Sequence, residues 1–448
     1  MLIRNAEVAG EIVDVRIADE RIAEVARGLP GEASLDAKGA ALLPGLHDHH
    51  LHLLALAAAL DSVPCGPPEV RTPADLRRAL ASATPQAGWI RGVGYHESVA
   101  GELDRRVLDV LAPGARVRVQ HRSGALWCLS SAGVEALGLD AGADHDGLER
   151  DSGGRATGRL FGLDGWLRER LPARGTPDLC RVGALLAARG VTGATDATPT
   201  NGRAELERFA TLPQNVLAMG PLASGAEGPH KIVLRERALP TPEALEDEVL
   251  SAHRAGRPVA IHCVTRAELV VAAAALHAAG SHAGDRIEHA SVAPPELVAL
   301  LAELPVTVVS QPNFLRERGD DYRRDVEPRD RPWLYRCRGF LEAGVALGGG
   351  TDAPFGAADP WLAMQAAVDR RSEAGIALAE AEALTPERAF ALFASAPDAP
   401  GGPPRRVAPG ARADLCLLDR PWKRARDRLD SADVAATVCG GAILHVRP

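Results

Sequence analysis

Apolar and polar positions alternate along the first stretch of the chain. Val13, Val15 and Ile17 are separated by Asp14 and Arg16, the period of a half-buried strand. A turn at Asp19-Glu20 follows, and the alternation resumes from Ile22 to Val25. The far end reads the same way. Leu415 to Leu418 is a short apolar run, and Ala435–Val438 and Ala442–Val446 flank Gly440-Gly441, a two-residue hairpin turn. Between these ends the pattern changes. Thr-Pro pairs at 72–73, 241–242 and 385–386 predict helix starts, with Thr as N-cap and Pro in the first turn. From Thr241 the chain reads as a helix to about Gly256, then the apolar run Pro258 to His262. An alanine-rich helix over 267–279 leads to Arg286-Ile-Glu-His289. A helix over 295–304 leads to Val306–Val309, and a further helical stretch leads to Val345–Asp352. Strands and helices in alternation predict parallel βα units. An α/β architecture with a (β/α)8 TIM barrel over residues 44–404 is the expectation. The segment from Arg316 to Arg338, dense in arginine and aspartate, reads as a long solvated βα loop.

Composition narrows the class. The chain has 448 residues, 46% apolar and 25% charged, enough for a sizeable core. A net charge of −8 leaves no basic surplus for phosphates, which argues against nucleic acid as a partner. Seven cysteines, at 65, 128, 180, 263, 337, 416 and 439, form no C-x-x-C pair and are odd in number, so a reducing, cytoplasmic setting is expected. No basic-then-apolar leader opens the chain, and no window approaches the ~20 apolar residues of a membrane span. Of 51 basic residues only Lys38, Lys231 and Lys423 are lysine. Each lysine in such an arginine-rich chain therefore invites a question.

The candidate chemistry lies at the ends of the predicted strands. His50 and His52 are two apart, so on a strand both imidazoles face one way and can share a metal. His47 and His49 have the opposite parity and read as structural. His262, His289 and Asp352 each end a later apolar run. Singly each is an ordinary strand-end residue; together they aim ionisable groups at one barrel face. Lys231 sits in Pro229-His-Lys-Ile-Val-Leu234. Its bland reading is a strand-end lysine with its ammonium in solvent. Unlike arginine, a buried lysine can lose its proton, and the neutral amine can add CO2 to form a carbamate.

Pro44-Gly45-Leu-His-Asp48-His-His50-Leu-His52 resembles the opening motif of the amidohydrolase superfamily, and Pro409-Gly-Ala-Arg-Ala-Asp414 resembles its return to the terminal strands. Trp89–Tyr95, Gly190–Asp196, Arg286–His289 and Gly350–Pro354 are similar to the YtcJ-like group, amidohydrolase family 3. The resemblance implies that residues 1–43 and 405–448 join into one β-sandwich beside the barrel. It implies that His50, His52 and Asp352 hold the more buried metal and His262 and His289 the more exposed one. Lys231, as N6-carboxylysine, would bridge the two. The implied cofactor is divalent, zinc by its imidazole and carboxylate ligands, as one or two ions.

The implied reaction is hydrolysis of a C–N bond in a small amide, N-acyl or N-formyl, by a metal-activated hydroxide, with Asp352 as general base and then general acid. The family often has a histidine where this chain has Gly124 or Ala125. Tyr95, His121, Arg122 and Asn313 are the candidate substrate contacts. A small-molecule substrate is the expected partner, and a homo-oligomer stays open. Three alternatives also stay open, one of them a phosphotriester hydrolase that would share the metal site. A mononuclear deaminase would place a glutamate three residues after His262, where this chain has Thr265. A silent amidohydrolase-like scaffold would have lost ligands, whereas all six positions are filled.

Overall fold

The computed structural model describes residues 1–142, 145–172, 175 and 177–447. It divides into two compact units, Met1–Leu53 with Leu179–Pro448, and Leu54–Asp178.

Eight parallel strands organise the first unit. We label them β1 (Leu46–Leu51), β2 (Val191–Asp196), β3 (Asn215–Ala218), β4 (His230–Val233), β5 (Val259–Cys263), β6 (Arg286–His289), β7 (Thr307–Ser310) and β8 (Ala346–Gly349). They form two sheets, ordered β3-β2-β1 and β4-β5-β6-β7-β8. A parallel bridge between Gly220 and His230 links the β3 side to β4. On the other side the chain just past β8 hydrogen-bonds to β1, with Asp352 N donating to His50 O at 2.8 Å and His52 N to Ala353 O at 2.8 Å. Gly350 allows that close approach, since a Cβ there would lie 2.5 Å from the His50 Cβ. The helices form where the Thr-Pro pairs predict. Pro242–Arg254 is capped by the Thr241 hydroxyl, Pro386–Ala391 by Thr385, and Gly256 takes the left-handed turn that ends the first of them.

The chain ends build two further four-stranded sheets. One holds Leu2–Val8, Glu11–Ala18, Arg21–Ala26 and Leu35–Asp36; the other holds Leu42–Pro44, Leu415–Leu418, Val434–Cys439 and Ala442–Val446. The predicted Gly440-Gly441 hairpin is present, with φ of 53° and 79°. Ile3, Val15, Ile17, Ile22, Leu42, Leu415, Leu417 and Val438 from both sheets share one core. Burying a side chain of this kind stabilises by roughly 1.5–3 kcal/mol, so the two termini depend on each other.

The Leu54–Asp178 unit is one six-stranded mixed sheet. Val63–Pro64, Ile90–Tyr95 and Val117–His121 run parallel, and Leu126–Leu129, Ala156–Phe161 and Leu148–Arg150 continue it antiparallel. Its helix Pro73–Ala81 starts with Thr72 and Asp75 capping each other reciprocally. The sequence pattern runs through 44–404 without marking this division.

One expectation needs correction. The Arg316–Arg338 segment is not a solvated loop at its start: helix Asn313–Asp325 runs through it. Phe314 and Leu315 pack against Leu334, Tyr335 and Leu378, and the Arg318 guanidinium stacks 4.0 Å over the Phe314 ring. The charges masked an apolar stripe that pins the helix.

Candidate metal centre

The site begins with β1, all six residues of which are buried. His50 and His52 lie side by side as their spacing predicts, with ring centroids 5.5 Å apart. The backbone pairing past β8 brings Asp352 over them. Its Oδ1 is 3.6 Å from His50 Nε2 and 3.3 Å from His52 Nε2. Asp352 has φ 56°, a left-handed backbone that few non-glycine residues adopt. Asp48 supports that turn. Its Oδ1 accepts from the backbone N–H of His50 (3.1 Å) and of Thr351 (3.0 Å), and its Oδ2 from Thr351 Oγ1 (2.5 Å). Burial still pushes the Asp48 carboxyl up to about 7.

His289 joins from β6. His289 and the following Ala290 leave the regular strand backbone, with φ of 70° and 44°. The His289 ring lies 4.7 Å from His50 and 4.5 Å from His262. One ligand atom each from His50, His289 and Asp352 falls within 4.8 Å of the others, a spacing that suits one cation. Lys231 is buried on β4, and its Nζ has no hydrogen-bond partner among the described residues.

The electrostatics suit ligands. Burial pushes the His50 and His289 imidazoles well below their ordinary value, and His262 down to about 3, so these rings are neutral donors. Burial likewise lowers Lys231, opposed first by the Glu288 carboxylate. Three of the four rings have Nδ1 tied elsewhere: His50 to Glu288, His52 to Thr198 Oγ1 at 2.9 Å and His289 to Gln311 Oε1 at 2.7 Å. Their Nε2 atoms are left for the site. Neutral imidazoles, a carboxylate and a buried amine without a partner fit a divalent cation.

His50, His52, His262, His289, Lys231 and Asp352 thus gather in one unit. His47 and His49 point elsewhere, onto Thr195 Oγ1 at 2.9 Å and Ser395 Oγ at 3.0 Å. Asn313 Nδ2 donates to Thr351 O (3.0 Å) and Glu317 Oε1 (3.2 Å), behind the Asp352 turn. Tyr95, His121 and Arg122 belong to the Leu54–Asp178 unit. There the Tyr95 hydroxyl donates to Gly101 O at 2.7 Å, His121 contacts Ser123 Oγ at 2.7 Å and Glu97 Oε2 at 3.1 Å, and Arg122 N donates to Tyr95 O. Sequence reasoning missed Glu288, Gln311 and Thr198, which orient the rings. Only Glu288 left a signal: with Arg286 it is one of two charges in a four-residue strand that is otherwise fit for burial.

The sequence model of the amidohydrolase family matches residues 34–445. The chain belongs to the amidohydrolase family, and it is a hydrolase of carbon–nitrogen bonds other than peptide bonds. It is 26% identical over 491 aligned residues to the N-substituted formamide deformylase of Arthrobacter pascens, covering 93% of this chain and 91% of the relative. It is 24% identical to the putative amidohydrolase YtcJ of Bacillus subtilis strain 168, with the same coverage. Among solved structures, an uncharacterized metal-dependent hydrolase from Pyrococcus horikoshii OT3 shares the fold, with TM-score 0.70 at 20% identity over 94% of this chain and 97% of that one.

Proposed function

We propose that this chain hydrolyses a small amide, of the N-formyl or N-acyl class, with a divalent metal held by His50, His52, His262, His289 and Asp352 and by Lys231 as a carbamate. The observation that carries the reading is the convergence of His50, His289 and Asp352 ligand atoms within 4.8 Å of one another, in a unit that also buries the Lys231 amine without a hydrogen-bond partner among the described residues. We read β1 to β8 as one closed (β/α)8 barrel, supported by the contacts that join the two parallel sheets at both edges. The two terminal sheets then make the β-sandwich, as their common core supports. The formamide deformylase relative supports the substrate class.

When bound, the cation, which we propose is zinc, supplies Lewis acidity and lowers the pKa of water to about 7. The protein supplies the rest. Asp352 Oδ1, within 3.6 Å of two imidazole nitrogens, takes a proton from the attacking water. It then delivers that proton to the nitrogen as the C–N bond breaks, releasing an acid and an amine. We propose a small-molecule partner rather than nucleic acid and, from the odd set of cysteines without a C-x-x-C pair, a cytoplasmic setting. Among the described residues no helix is long and apolar enough to cross a membrane.

The deaminase alternative loses support from the helix after β5. Thr265 caps that helix, and Glu268 spends both oxygens on backbone N–H groups of Glu236, Val264 and Thr265. No carboxylate there is left to shuttle protons. The test is a panel of N-substituted formamides, N-acyl amines and aminated nucleobases, with acid, amine and ammonia assayed separately. Acid and amine in equal amounts are expected from the amides. Ammonia from the nucleobases, with no amide turnover, would reverse the assignment.

A further inference from the structure

Arg286 and Glu288 are a buried charged pair on β6. They are 2% and 0% exposed and 2.7 Å apart, Arg286 Nε to Glu288 Oε1. Two apart on a strand, both side chains leave the same face. Strand β6 neighbours β5 and β7 and makes no ladder with β1. Both side chains nevertheless end on β1. Arg286 Nη2 donates to the carbonyl of His49 at 2.7 Å, and Glu288 Oε2 receives His50 Nδ1. The pair grips two successive residues of β1 from a strand that is not its neighbour.

We propose that Glu288, held by Arg286, is a positioning residue that fixes the tautomer and ring orientation of His50, and so sets the metal affinity of the centre. The inference rests on the metal-dependent reading above. A carboxylate only accepts, so His50 carries its hydrogen on Nδ1 and keeps the Nε2 lone pair on the Asp352 side. Glu288 is not itself a ligand or an acid–base group, because one oxygen serves Arg286, the other serves His50, and neither reaches solvent. Its chemistry differs from that of the other ring supports. His52 leans on a hydroxyl and His289 on an amide oxygen, both neutral; His50 alone among these three has an anionic acceptor. A charged acceptor makes the stronger hydrogen bond and the more electron-rich ligand.

The test is a double-mutant cycle on zinc affinity, read by competition with a chromophoric chelator on the full-length protein. Glu288→Gln keeps the shape and removes the charge. It is expected to weaken zinc binding about 10- to 100-fold. In a His50→Ala background the same change is expected to cost nothing further, because Glu288 acts through His50. Because Glu288→Gln leaves Arg286 buried without its anion, Arg286→Met/Glu288→Leu is the second variant. It replaces the whole ion pair with apolar groups, which is often neutral for folding. It is expected to melt near the parent temperature and still show the affinity loss. Equal zinc affinity in parent and Glu288→Gln, or losses that add fully in the cycle, overturns the proposal. A folded parent that takes up no zinc overturns the functional reading itself, which is a separate result.

Discussion

Lys231 shows how far one residue can be read. Its identity is legible in an arginine-rich sequence, because arginine would serve any generic cationic role there. Burial adds the physical reason. An ammonium without a hydrogen-bond partner is costly to keep away from water, so burial makes this proton easier to lose than that of an exposed lysine, and the neutral amine is the form that adds CO2. Protein prepared in 13C-bicarbonate is therefore expected to show a carbamate carbon signal that is absent from Lys231→Met. A parent spectrum without it would remove the bridging role and leave the imidazoles and Asp352 as the ligand set. The candidate ligand histidines were equally legible, His50 and His52 by their spacing of two and His262 and His289 as the ends of apolar runs. Their supports were not. Thr198, Gln311 and Glu288 are distant in sequence from the rings they hold, and no periodicity links them.

At the scale of elements, the centre depends on how β1 meets the chain past β8. Asp48 binds the hydroxyl and N–H of Thr351 and the N–H of His50, so one carboxylate fixes the residues on both sides of the site. Thr351→Val removes the hydroxyl and leaves a buried carboxylate short of a donor. That is expected to destabilise the fold by about 1–3 kcal/mol, measured by urea unfolding of the metal-free protein. Metal retention is expected to fall with it, because Asp352 follows directly. Unchanged stability would show that the Asp48 contact does not hold the turn. Strand and helix order along 241–309 could be read from pattern alone, because helical stretches and short apolar runs alternate there after the Thr241-Pro242 cap. The positive φ of His289 and Asp352 could not be read. A left-handed backbone at a non-glycine residue leaves no signal in the apolar pattern. The helix at 313–325 was hidden for the opposite reason, because its many charges outweighed a narrow apolar stripe.

At the scale of the molecule, the sequence correctly marked both termini as strand-rich but did not mark 54–178 as a separate unit. It alternates strands and helices as the rest does and starts a helix with the same Thr-Pro cap, so no punctuation in the pattern sets it apart. The first unit holds every proposed metal ligand, drawn from five strands or their ends across positions 50 to 352. Such a site exists only when the whole unit is folded, and folding brings these buried imidazoles together where, in our proposal, a cation is held. The most direct measurement is metal content and amide hydrolysis on the same samples through chelation and re-addition of zinc. Metal and activity lost together, and recovered together in a chain that stays folded throughout, is the result predicted. Full hydrolysis by the metal-free protein would contradict it.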